Sequence, residues 1–283
     1  MKKILVGYDG SEQGRDAIHL ADALRTAFGS ELLVAVVDEV GPVVDDMPTY
    51  GAERAALFTK KLAEAREELA GATFVERTGV GSVPAVLEEI ATAEEADMIV
   101  LGSTHRGGLG RVLPGSVGDR LLNGGPCAIA VAPRGFSARH STGSSTLAVG
   151  YDGGAESRAA LSFAEELAQG LGWKLLLVAV ARSNPAASLH APGIPRDDAD
   201  LRSHLAELLR EARGTLSPET PTESTILTGE PAAQLAHATN DADLLVVGSR
   251  GYGPLRRVLM GGVAREVIRA AHCPVVVVPR RGE

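Results

Sequence analysis

The chain is predicted to fold as α/β, in two tandem domains that each wrap helices around a parallel sheet. Three observations predict it. A long stretch of sequence occurs twice, short continuous apolar runs alternate with helically spaced apolar residues in both copies, and 283 residues, 45% of them hydrophobic, suffice for two separate cores.

The repeat sets the organisation. Residues 4–37 (ILVGYDGSEQGRDAIHLADALRTAFGSELLVAVV) recur at 147–180 (LAVGYDGGAESRAALSFAEELAQGLGWKLLLVAV), and residues 98–134 recur at 244–280, so the chain is a duplicated domain. The predicted domains are residues 1–134 and 146–283. Between them, the Gly/Ser/polar stretch 135–145 (GFSARHSTGSS) has a composition that cannot form a core of its own and is read as a flexible connector.

Within each copy, apolar runs too short for a buried helix predict strands at 3–8, 31–37, 73–78, 97–102 and 127–132, then at 146–151, 174–180, 223–228, 243–248 and 274–279. Between the first two strands lies a helix with an apolar stripe. Ala17, Leu20, Ala21, Leu24 and Phe28 recur as Ala160, Phe163, Ala164, Leu167 and Leu171, a face that packs on the sheet. A second helix in each copy, over 52–70 and 198–213, is charged on one side and buries the other, with Phe58, Leu62, Ala65 and Leu69 spaced for the core.

Composition excludes several functions. A formal net charge of −8 offers no basic face for nucleic acid or anionic lipid. No apolar run reaches the roughly 18 residues that cross a bilayer, and no signal sequence opens the chain, so a cytoplasmic protein is expected. Cys127 and Cys273 have no partners at metal-ligand spacing and read as small buried hydrophobes, and the seven histidines form no metal site either. All five lysines lie outside the glycine-rich loops, which excludes a Walker-type phosphate site. The first strand turn, GYDGSE, is not a dinucleotide fingerprint, and no nucleophile elbow is present.

In an open parallel sheet the ligand sits outside the carboxyl ends of the strands. Strand one ends in Gly7-Tyr-Asp9-Gly in one copy and Gly150-Tyr-Asp152-Gly in the other. There Asp9 and Asp152 either cap a turn or accept hydrogen bonds from a sugar or base, and the two roles are compatible. Strand four runs into a glycine-rich loop carrying Gly102, Ser103, His105, Arg106 and Gly107, and then Gly115, Ser116 and Val117 open a helix. Its counterpart carries Gly248, Ser249, Arg250, Gly251 and Gly253, then Gly261, Gly262 and Val263. Glycines let backbone N–H groups approach an anion, and a helix start presents unpaired N–H groups, so the loop reads as a phosphate cradle or as a purely conformational turn. Arg106, Arg111, Arg250, Arg256 and Arg257 are expected to supply positive charge there.

The spacing Gly, two residues, Gly, nine residues, Gly, then Ser or Thr resembles the ATP-binding signature of the universal stress protein family. The opening VGYDGS and the closing strands CAIAVAP and CPVVVVP strengthen the likeness, which covers nearly the whole chain. It implies a Rossmann-like domain of the adenine nucleotide alpha hydrolase type, a five-stranded parallel sheet of order 3-2-1-4-5 in each half. It also implies ATP, with ADP or AMP as alternatives, and magnesium only through the nucleotide phosphates. By the same likeness Asp9 and Asp152 contact the nucleoside, the backbones of Val36 and Ala179 contact adenine, and the glycine loops hold ribose and phosphate. His105 stands where the signature has its second glycine, and Gly262 where it has Ser. The family's habit of pairing domains through their last strands implies an internal pseudo-dimer, with a homodimer of chains also open, and puts the two cysteines at opposite ends of that pairing. The functional expectation is a regulatory adenine-nucleotide-binding module rather than an enzyme. A slow ATP hydrolase or adenylate-transferring enzyme, and a nucleotide-free scaffold, are the alternatives.

Overall fold

A computed structural model describes residues 1–39, 48–104, 108–137, 145–182, 198–249 and 258–279. The first half runs β1 (Lys3–Gly7), α1 (Glu12–Phe28), β2 (Glu31–Asp38), α2 (Pro48–Glu68), β3 (Val75–Val80), α3 (Val83–Ala93), β4 (Met98–Gly102), α4 (Ser116–Leu121) and β5 (Ala128–Ala132). The second half repeats it as β6 (Thr146–Gly150), α5 (Ala155–Leu171), β7 (Lys174–Ala181), α6 (Asp198–Gly214), β8 (Thr222–Thr228), α7 (Pro231–Ala238), β9 (Leu244–Gly248), α8 (Gly262–Ala270) and β10 (Val275–Val278).

The strands form one ten-stranded sheet in the order β3-β2-β1-β4-β5-β10-β9-β6-β7-β8. Each half is parallel in the order 3-2-1-4-5, and the halves join where β5 and β10 pair antiparallel, with Val275 opposite Val131 and Val277 opposite Ile129. Both joining strands are buried along their whole length, which is why AIAVA and VVVV are unbroken apolar runs. Two backbone bonds repeat the pseudo-two-fold relation. Val112 N–H donates to Ala271 O at 3.2 Å, and Val258 N–H donates to Gly125 O at 2.9 Å.

Strand alternation splits the core into two layers. Ile4, Val6, Val34 and Val36 face the layer under α1, α2, α5 and α6, while Leu5, Leu33 and Ala35 face the layer under α3, α4, α7 and α8. The predicted α1 and α5 stripes lie in the first layer, with Phe28 and Leu171 at its margin. Ser11 caps α1 by accepting from Gly14 N at 3.0 Å, and Gly29 ends it at φ 63°, a left-handed conformation that suits glycine. Phe28 also reaches across to α5, where a side chain at Gly170 would stand 2.3 Å from its ring.

Two expectations are corrected. β3 begins at Val75 rather than 73, because Phe74 packs on the core edge with the Arg66 guanidinium 5.9 Å from its ring centre, and pairing with β2 continues to Val80 opposite Asp38. The connector is not free at its start. Asp16, only 1% exposed on α1, accepts from Gly135 N at 2.7 Å and Ser137 N at 2.8 Å, and Phe136 packs on the core between them. Residues 138–144 of the connector lie outside the described residues.

Cys127 and Cys273 are buried just ahead of β5 and β10, whose antiparallel pairing puts them at opposite ends of that ladder. Burial pushes the Cys127 thiol from 9.0 up to about 12. Since the folded state holds the proton more tightly, this contribution to stability is intact below pH 9 and is lost as the pH climbs from about 9 towards 12. Both thiols are expected to resist a thiol reagent in native protein at pH 8 and to react fully in guanidinium, which absorbance labelling would follow. Among the described residues, no helix is long and apolar enough to cross a membrane.

Candidate functional site

β1 sends its chain to α1 on one face of the sheet, and the chain leaving β4 reaches α4 on the other. The divergence opens a cleft of about 1000 Å³ at the carboxyl edge of the sheet, as strand order requires at a switch point. One wall is apolar, formed by Ala35, Val37, Val83, Leu87 and Leu101. Facing it are Asp9, Ser11, Gln13 and the start of α4 from Gly115 to Asp119.

The glycines divide by cause. At Gly102 a Cβ would fall 2.0 Å from the carbonyl oxygen of Gln13, and at Gly248 one would fall 2.6 Å from that of Glu156. At these two, glycine lets the first turns of α1 and α5 cross the strand ends, and Gly102 also lines the cleft. Gly7 and Gly150 are tight against Leu87 and Leu235, both at 3.2 Å. Gly115 is different: it is the N-cap of α4 in extended conformation, and a Cβ there would meet nothing nearer than Thr104 at 3.8 Å. No side chain caps α4, so the amides of Ser116, Val117 and Gly118 open on the cleft without a capping partner. In the second half Gly261 caps α8 in the same way, with exposed Gly262 and Val263 following. A side chain at Gly262 would meet nothing within 4 Å.

Asp9 and Asp152 do shape their turns. Asp9 Oδ1 accepts from Ser11 N at 2.9 Å and Ser11 Oγ at 2.5 Å, while Asp152 Oδ1 accepts from Gly154 N at 2.8 Å. Both side chains are exposed, and among the described residues Oδ2 of each carries no hydrogen bond. Lys61 on α2, outside any glycine loop, donates to the backbone oxygen of Asp9. Beneath it, burial and the charges of Glu68 and Glu64 push the Tyr8 phenol up to about 12, so it stays protonated.

Ser103 is buried and satisfied within the protein: Oγ donates to Ala132 O at 2.7 Å and accepts from Leu113 N at 3.2 Å. With Thr104 N bonded to Leu113 O at 2.7 Å, it closes the neck of the loop at the wall of the cleft. The equivalent Ser249 is buried with no partner for its Oγ among the described residues. The side chains of Val36 and Ala179 are buried in the opposite layer, while those of the neighbouring Ala35 and Val37 line the cleft. Arg111 also departs from expectation, since it donates to Ala270 O at 2.9 Å across the junction between halves. His105, Arg106, Gly107, Arg250, Gly251, Gly253, Arg256 and Arg257 lie outside the described residues. Gln13, Glu39 and Asp119 line the cleft and were not singled out from sequence. Nothing local in the sequence marks these three.

Comparison with known proteins agrees with this arrangement. The sequence pattern of the Universal stress protein family matches residues 1–133 and again 144–279. The chain belongs to the universal stress protein family. A universal stress protein of Mycobacterium tuberculosis is 33% identical over 199 residues, a match that covers 69% of this chain and 65% of the relative's own length. Another from the same organism is 27% identical over 296 residues, covering 98% of this chain and 99% of the relative. Among solved structures, a universal stress protein from Archaeoglobus fulgidus shares the fold with a TM-score of 0.72 at 20% identity, covering 98% of each chain. A Pseudomonas aeruginosa structure does so at 0.66 and 17% identity, covering 99% of this chain and 94% of that one. This universal stress protein therefore carries the family domain twice along one chain, with the strand-end cleft framed by the residues that the pattern spans.

Proposed function

We propose that this universal stress protein is a cytoplasmic regulatory module that binds an adenine nucleotide, ATP or its mono- or diphosphate, at the carboxyl edge of its sheet. One observation carries the reading: a single cleft of about 1000 Å³ joins an apolar wall to the uncapped start of α4 at Gly115. The base lies between Ala35, Val37, Val83 and Leu87, the ribose hydroxyls reach the open carboxylate oxygen of Asp9, and phosphate oxygens accept from the Ser116 to Gly118 amides. Magnesium, where present, arrives on the phosphates. The output of binding is a change in the surface offered to a partner, which follows if the nucleotide favours one of two conformations.

The test is to denature freshly purified chain and identify any released nucleotide by mass spectrometry, with its molar ratio to protein. About one or two adenine nucleotides per chain are expected, together with a rise in melting temperature when more is added, because a ligand at 100 times its Kd stabilises by about 2.7 kcal/mol. No released nucleotide and no thermal shift with ATP, ADP or AMP would leave the scaffold reading in its place.

A further inference from the structure

The two halves fasten their second helix to the sheet edge by different chemistry. Leu62 and Ala65 on α2 match Leu209 and Ala212 on α6, buried in the same core layer. By the same match Arg54 corresponds to Leu201 and Lys61 to Leu208. Both leucines pack on the core, and Leu208 covers the turn after β6, where a Cβ at Gly153 would stand 2.5 Å from its Cδ1. In the first half both contacts are polar. Arg54 Nε donates to Asp38 Oδ2 at 2.9 Å, at the end of β2 between the cleft residues Val37 and Glu39, whereas the second half ends that strand with the buried Ala181. Lys61 Nζ donates to the backbone oxygen of Asp9 and lies with Glu64 directly against Gly10, where a Cβ would meet them at 3.2 and 2.8 Å. Arg15 and Arg158 donate to the next carbonyls, Gly10 O and Gly153 O, in both halves alike, so the lysine is the difference between the two turns.

Gly10 has φ 78°, a conformation that glycine adopts freely, so the peptide between Asp9 and Gly10 has few steric restraints of its own. A charge-assisted hydrogen bond to its oxygen holds that peptide, and with it the direction in which the Asp9 carboxylate leaves the strand. We infer that Lys61 is a positioning residue of the first nucleotide site, holding Asp9 towards the ribose hydroxyls, and that Arg54 seats α2 so that Lys61 reaches the turn. In the second half Leu201 and Leu208 replace this pair, and Asp152 is set without a cation from α6. The inference rests on the nucleotide reading above, at the contact of Asp9 with the ribose.

The full chain is titrated with AMP and with its dideoxy analogue, which lacks both ribose hydroxyls, and amide nuclear magnetic resonance reads the first site at Val37 and the second at Val180. The ratio of the two affinities isolates the hydroxyls, because base and phosphate are the same in both ligands. Lys61→Met is expected to lower that ratio about two- to fivefold at the first site and to leave the second as in the parent. Arg54→Met should move it in the same direction, and Lys61→Arg should restore it. Arg66→Met, which removes the bridge from α2 to Glu76 on β3 instead, should leave the ratio alone. A parent ratio of one at the first site, an unchanged ratio in folded Lys61→Met protein, or an equal fall in Arg66→Met overturns the positioning role and leaves the nucleotide reading standing. Failure of the parent to bind AMP removes both.

Discussion

Gly102→Ala is expected to destabilise the chain by about 3 kcal/mol or more and to abolish ligand binding in the first half. The added Cβ would sit 2.0 Å from the Gln13 carbonyl oxygen and 2.6 Å from its carbon, and neither is a side chain that can rotate away. Only outward movement of α1 relieves the clash, which unpacks Ala17, Ile18 and Ala21 from the sheet and displaces Asp9 with them. Urea denaturation should show a lower midpoint with little change in slope. Gly248→Ala, 2.6 Å from the Glu156 carbonyl oxygen, should behave in the same direction in the second half. Gly262→Ala is the contrast, since open space surrounds that position, and it should be nearly neutral.

Asp16→Ala is expected to cost about 2 to 4 kcal/mol, because it leaves the Gly135 and Ser137 amides without their acceptor and opens a hole beneath Phe136. Asp16→Asn should cost roughly half as much, since one amide oxygen remains to accept while its NH2 group faces a donor. The second half has Ala159 at the matching position, so the effect belongs to the exit from β5 towards the connector. Thermal unfolding monitored by circular dichroism measures both variants, and proteolysis of folded Asp16→Ala should gain an early cut near 135–137.

The fold was legible because the strongest signals were local and doubled. Runs such as Met98–Gly102 and Leu244–Gly248 are apolar throughout since both sheet faces are covered, and the α1 stripe repeated in α5 left little choice of face. What escaped was set by residues distant in sequence. Asp16 looks like one more polar residue on a helix until Gly135 and Ser137 return to it. Gly102 invites a phosphate reading because nothing nearby in sequence reveals that Gln13 crosses above it. Arg111 looks like a ligand cation beside glycines, yet its acceptor is the Ala270 carbonyl in the other half. Alternation along β2 puts the side chains of Ala35 and Val37 on the cleft side and that of Val36 in the core, so a contact from Val36 would have to come from its backbone.

The cleft between β1 and β4 is where a nucleotide is expected to bind. Amide nuclear magnetic resonance of the full chain, titrated with AMP, tests this most directly. The largest shifts are predicted at Ser116, Val117 and Gly118 and along Ala35 to Val37, with β3 and β8 at the sheet edges unaffected. Shifts centred elsewhere, or none at saturating AMP, would contradict the assignment of the cleft between β1 and β4 as the nucleotide site.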